Sequence, residues 1–217
     1  MPGPAALREA VSDLVTLADA DLTQLWREVS SALQAREALL DLLPVLVDAY
    51  GSAAATVAAD WYDDLRDAER IAGRFTAIPA ELDDTGADAL ARWGVDPLFH
   101  GEPDWSRAQA LISGGLQKRI ANAARNTVTG SAVQDPAADG WQRVARGSGC
   151  PFCQMLAGRG AVYRESTVDF SPHDDCHCVA TVAWTDREKP VKPYTPTDRN
   201  ITDADRARVR EWIAANL

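Results

Sequence analysis

Gly149-Cys-Pro-Phe-Cys-Gln-Met-Leu-Ala-Gly-Arg-Gly-Ala-Val-Tyr163, followed downstream by His173-Asp-Asp-Cys-His-Cys178, is the stretch that divides this chain. All four cysteines lie inside it, as a C-x-x-C knuckle (Cys150, Cys153) and an H-x-x-C-x-C run (His173, Cys176, Cys178). Zinc takes four nitrogen or sulfur ligands in a tetrahedron, and two close pairs brought together across a loop supply them. Gly147 and Gly149 let the backbone turn tightly ahead of the knuckle. On an extended segment Cys176 and Cys178 face the same side, and His177 then points away. Cys150 and Cys153 form the first ligand pair. The other two positions are drawn from His173, Cys176 and Cys178, so five candidates compete for four places.

Other readings of four clustered cysteines are buried thiols without metal, a structural disulfide and a redox C-x-x-C. Redox sites of the thioredoxin type open a helix inside a βαβ unit, and no such unit surrounds Cys150. The N-terminus has no basic stretch leading into an apolar core, so a reducing cytosol is expected, where clustered cysteines hold metal more often than they cross-link. One structural zinc ion is therefore expected. The segment has few large apolar residues of its own, and zinc would supply the missing folding free energy. Catalytic zinc needs an open position and a nearby base, which the spacing does not provide.

Upstream, the apolar residues recur every three or four positions. Leu7, Val11, Leu14, Val15, Ala18, Leu22, Leu25, Trp26, Val29 and Leu33 form one such stripe, read as a single helix or as two joined near Asp19-Ala20-Asp21. A second helical pattern runs over 35–69, with Pro44 and Gly51 expected to kink or divide it. Residues 77–103 are broken by Pro and Gly, with a short helix at Ala87–Trp93. A further helix starts at Asp104 as N-cap and runs through Thr127, weakened at Gly114-Gly115. Asp135-Pro136 and Gly140 mark a boundary. Beyond it, Ala161–Tyr163 and Val179–Trp184 have strand character. A Pro-rich stretch from Lys189 reads as a linker, and a short helix follows over about Asp203–Asn216, capped by Thr202.

The fold class expected is mainly α: a helical hairpin or bundle over 1–140, a small zinc-stabilised α+β module over 141–188, and a linker with terminal helix over 189–217. Of 217 residues, 46% are hydrophobic and 25% charged, which is ordinary for a soluble globular protein. No uninterrupted apolar run reaches the ~20 residues that span a membrane, so no membrane partner is expected. Residues 1–140 hold 11 Lys+Arg against 22 Asp+Glu, and the remainder 11 against 10. An acidic front opposes duplex DNA, which is bound through clustered Lys and Arg, so specific DNA binding is not expected.

The cysteine segment resembles the C-terminal motif of tailed-phage minor head proteins similar to phage Mu protein F, most closely the branch in phages of actinobacteria. The match falls on Cys150, Cys153, His173, Cys176 and Cys178. The residue between the last two cysteines, often Arg in that family, is His177 here. Trp61-Tyr-Asp-Asp-Leu-Arg66 also looks like this branch. The resemblance implies a minor capsid protein of the virion, acting in head morphogenesis and associated with the portal protein, the major capsid protein or both. Some relatives are labelled capsid maturation proteases.

For an enzyme the sequence offers little. Its three histidines are His100, His173 and His177, and neither H-E-x-x-H nor G-x-S-x-G occurs. No catalytic residue is assigned. Asp60, Asp64 and Asp67 share a helical face, expected to be solvated and paired with Arg66 and Arg70. Trp184 is expected to cover the metal site.

Overall fold

A computed structural model describes residues 2–82, 85–147, 149, 151–164, 170, 176–184 and 202–216. It is mainly helical, as expected. The elements run α1 (Pro4–Glu28), α2 (Ala32–Ala68), α3 (Thr85–Gly94), α4 (Trp105–Gln134), β1 (Gly140–Val144), α5 (Pro151–Ala157), β2 (Val179–Ala183) and α6 (Asp203–Asn216). The Pro-rich linker and the Ser-Pro before His173 lie outside the described residues.

Helix α1 buries Leu7, Val11, Ala18 and Leu22 and runs straight through Asp19-Ala20-Asp21. That polar triplet is an interhelical contact. The Asp19 carboxylate accepts the Ser113 hydroxyl of α4, and Asp21 accepts the Tyr50 hydroxyl of α2 at 2.6 Å. The break comes later, where Ser31 caps α2 by accepting from the Gln34 N–H at 3.2 Å and Gln34 in turn accepts from the Ser30 N–H at 2.9 Å. This reciprocal pairing is close to a capping box. Leu33, in phase with the first stripe, belongs to α2 and is exposed.

Helix α2 is one helix through both Pro44 and Gly51. Gly51 serves packing: a Cβ there would sit 2.9 Å from Leu82 Cδ1, so the chain after α2 crosses the helix closely at this point. Among the described residues, α2 alone is long and apolar enough to cross a membrane by length and composition. Its buried residues, from Ala35 through Leu39, Leu43, Val47 and Ala58 to Tyr62, pack against α1, α3 and α4 as in the central helix of a bundle.

Helix α4 starts where the sequence places it, with Asp104 accepting from the Arg107 N–H at 2.9 Å, but it continues to Gln134. Gly114 and Gly115 are buried inside it. A Cβ on Gly115 would overlap the buried Leu90 side chain of α3, with Leu90 Cδ2 at 2.8 Å. The two helices approach because the side chain is missing. Gly115→Ala is expected to destabilise by about 1–2 kcal/mol, overpacking winning over the gain in helix propensity. Urea titration of both forms checks this.

Strands β1 and β2 pair antiparallel, Gly140 opposite Ala183 through Val144 opposite Val179. Tyr163 adds a single bridge to Trp141. The β1 strand escapes a hydrophobicity reading because its inward positions are Trp141 and Arg143, and a buried arginine hides the period of two. The ribbon packs on α4 and α1, and one contiguous set of buried residues runs from the bundle into it.

Candidate metal centre

Helix α5 carries Cys153, and the strand entry of β2 carries Cys176 and Cys178. All three are buried, at 2%, 4% and 3% exposure. Their sulfurs lie within 4.8 Å of one another, with Cys153 Sγ and Cys176 Sγ 3.8 Å apart. Zinc–sulfur bonds of ~2.3 Å in a tetrahedron space the sulfurs ~3.8 Å apart, so this trio fits a metal ion. None of the three sulfurs is part of a disulfide. Residues far apart in sequence thus present three soft donors to one point, and three buried cysteines so close together can hold a metal ion. Cys150 and His173, the other two candidates, lie outside the described residues.

His177 sits between two buried cysteines and is itself exposed, its carbonyl accepting from Arg8 Nε at 3.1 Å. That bond ties α1 to the strand entry. Helix α5 is held by Gln154, which donates to the Arg146 carbonyl at 2.8 Å. Trp141 stacks on Tyr163 at 4.5 Å between ring centroids and on Phe170 at 5.8 Å, forming the apolar side of the module.

Two arginines missed by the sequence reading are buried in this module, and one of them reaches the cysteines. Arg125 of α4 donates from Nε to the Cys178 carbonyl at 2.9 Å and from a terminal nitrogen to the Cys176 carbonyl. Its other terminal nitrogen donates to Asn122 Oδ1 at 2.9 Å. Arg143 of β1 donates to the Phe170 carbonyl and lies 3.9 Å from the centre of that ring. The Cys178 thiol donates toward Cys176 and draws the Cys176 pKa down to about 4 against the effect of burial, with help from the Cys178 N–H and the Arg125 charge. The same sharing, with burial, pushes Cys178 up. Burial lowers the Arg125 pKa, and the nearby thiolates offset part of that loss. The pair thus favours an anionic Cys176 sulfur holding the Cys178 proton, and a metal binding both as thiolates would displace that proton.

A second polar centre lies at the far end of β2, around Asp135. This carboxylate is 2% exposed and accepts from Arg66 Nε at 3.0 Å, Tyr62 Oη at 3.2 Å, Trp184 Nε1 at 3.3 Å and the Ala137 N–H at 3.0 Å. Two expectations are corrected here. Arg66 is buried in this ion pair rather than lining a solvated face, and it also donates to the carbonyls of Ile71, Ala72 and Gly73. Trp184 packs edge-on against Tyr62 and bonds Asp135, six residues along the chain from the cysteine pair it was expected to cover. The Asp135-Pro136 sequence, read as a boundary, conceals the carboxylate that joins α2, α4 and β2. Burial raises its pKa, but Arg66, the Ala137 N–H and Trp184 more than reverse this and leave it below the usual range. Burial and then the Asp135 charge push the Tyr62 hydroxyl far up.

Of the remaining candidates, His100 is exposed and paired with exposed Asp96 at 3.0 Å. Asp60, Asp64 and Asp67 are exposed on α2.

No curated protein and no solved structure matches the chain. One family does: the profile of the VG15 protein family matches residues 4–201, nearly the full length and including the cysteine segment. The chain belongs to the VG15 family, a family of phage proteins.

Proposed function

We propose that this is a minor capsid protein acting in head morphogenesis, which binds the portal protein, the inner face of the major capsid shell or both during procapsid assembly. It acts in the host cytoplasm while heads are built and stays in the virion, inside the capsid or at the portal vertex. The observation that supports this reading is membership of a phage protein family over 4–201, in a chain whose described residues include a cluster of three buried cysteines. A structural zinc ion fits that cluster. Its three described sulfurs are buried, and Arg125 occupies the backbone carbonyls of Cys176 and Cys178. Zinc bound there would fix α5 against β2 and the ribbon against α4. No enzymatic step is assigned to it.

Co-expression of the tagged chain with the portal protein encoded in the same genome tests the proposal. A stable complex of defined stoichiometry is the expected result. A free, monomeric chain with specific cleavage of the major capsid protein, abolished by a point substitution, would replace it with a maturation protease. Salt-dependent DNA binding by the cysteine module would replace it with a nucleic-acid-binding role.

A further inference from the structure

Three consecutive peptide carbonyls at the entry of β2 each accept from an arginine of the helical bundle. Arg125 of α4 donates to the carbonyls of Cys176 and Cys178, the latter at 2.9 Å, and Arg8 of α1 donates from Nε to the His177 carbonyl between them at 3.1 Å. A terminal nitrogen of Arg8 also reaches the carbonyl of Val144, the last residue of β1, at 3.4 Å. One side chain of α1 thus spans the end of the ribbon, from the β1 side to the β2 side. The sulfurs span the same gap. Cys153 sits on α5, which follows β1, while Cys176 and Cys178 lead into β2, and all three sulfurs lie within 4.8 Å of one another. Apolar packing along this seam is incomplete. A slot of about 30 Å³ remains, lined by Leu7, Val11 and Val15 of α1, Ala121 and Ala124 of α4, and Val179 of β2.

A carbonyl held by a charged donor fixes its peptide plane, and with it the directions in which the neighbouring side chains leave the backbone. Groups that orient metal ligands in this way raise affinity, because less order has to be imposed on binding. We propose that Arg8 is a positioning residue of the metal centre, and that through it loading of the centre seats the N-terminal half of α1. Arg125 holds the Cys176–Cys178 run against α4. With the three sulfurs on one ion, α5 is drawn onto that run, and the Val144 and His177 carbonyls stay at the separation that one guanidinium bridges. With the metal removed, α5 is released and Arg8 loses the closed ribbon end that it binds. Such coupling is reciprocal: the factor by which metal strengthens the seat of α1 is the factor by which that seat strengthens metal binding. This coupling rests on the structural-zinc reading and adds α1 to it.

The test follows amide hydrogen exchange in the full chain, loaded with zinc(II) and again after a strong chelator, for wild type, Arg8→Ala and Arg8→Lys. Arg8 is half-buried and outside the core, so both variants are expected to fold. In wild type, the amides of residues 7–15 are expected to exchange roughly 3–10-fold more slowly with zinc, the worth of about one hydrogen bond, while those of residues 112–120 in α4 do not change. Arg8→Ala is expected to lose this zinc dependence and, in chelator competition, to bind zinc more weakly by the same factor. Arg8→Lys, a cation that can reach one carbonyl, is expected to keep part of both. A bond that only holds α1 in place would lower protection equally with and without zinc and leave zinc affinity untouched, which overturns the proposal. Wild-type protection that ignores a zinc ion bound in stoichiometric amount overturns it too, and in both cases structural zinc stands. A chain that binds no zinc overturns the coupling and the zinc reading together. Should Arg8→Ala fail to fold, the wild-type comparison with and without zinc decides alone.

Discussion

On the structural-zinc proposal, replacing Cys153 with serine is expected to abolish metal binding and to lower the melting temperature by roughly 10–20 °C. Apparent zinc-binding free energies of structural sites reach ~10–16 kcal/mol, and losing about 5 kcal/mol of that gives this shift in a chain of 150–250 residues. Cys153 is the right probe because its sulfur lies 3.8 Å from Cys176 Sγ and is buried. Serine is close in size, so the loss will come from the missing ligand rather than from a cavity. The local stability is modest without metal. Helix α5 has seven residues and the sheet two strands, and neither is stable alone in water. The bundle should keep its helicity through this transition, because Leu39, Leu43, Ile112 and Leu116 form its core independently of the sulfurs. Elemental analysis with a circular dichroism melt checks the result. A Cys153→Ser chain retaining one zinc and the wild-type midpoint would show that the cluster is packing and not a metal site. A strong chelator added to the wild type should reproduce the variant's melt.

The cysteine cluster was legible because metal chemistry leaves a local signature. Thiols two and three residues apart are rare by chance, and their spacing alone places them on one side of a strand or turn. The arginines left none. Arg125 sits among Ala121, Ala124 and Val128 on a helix where any charged residue reads as surface, and Arg143 occupies an inward strand position that the period-two rule reserves for an apolar side chain. Their partners are backbone carbonyls, which every sequence has. Similarly, Arg66 was read as one charge among many on α2, since its partner Asp135 lies 69 residues away. Helices were placed well wherever the apolar stripe was long. Their ends were missed where the deciding group is polar: Asp19 and Asp21 suggested a break that hydroxyls on α4 and α2 remove, and Ser31 makes a cap that a leucine in phase disguised.

The largest loss in the helical core should follow removal of either partner in the Arg66–Asp135 pair. Arg66→Met leaves a buried carboxylate with only neutral donors, and Asp135→Asn leaves a buried guanidinium with only neutral acceptors. Breaking a buried pair from one side costs about 3–5 kcal/mol, because the remaining charge stays desolvated. The double variant Arg66→Met/Asp135→Asn should recover a good part of that loss, since no net charge then remains in the core. Urea titrations of the four proteins give the coupling energy directly. Additive losses would mean that the two residues act separately through their other bonds. The same pair sets an acid limit. The Asp135 pKa is held below its unfolded value of about 3.9, so the folded state binds fewer protons here than the unfolded chain does. The stabilisation is therefore complete above that unfolded value and is lost as pH falls through the lower folded pKa. Wild-type stability should drop steeply below about pH 4, and Asp135→Asn, already weaker at neutral pH, should follow a flatter profile. Parallel pH profiles would mean that other carboxylates govern acid unfolding and that Asp135 contributes through packing alone.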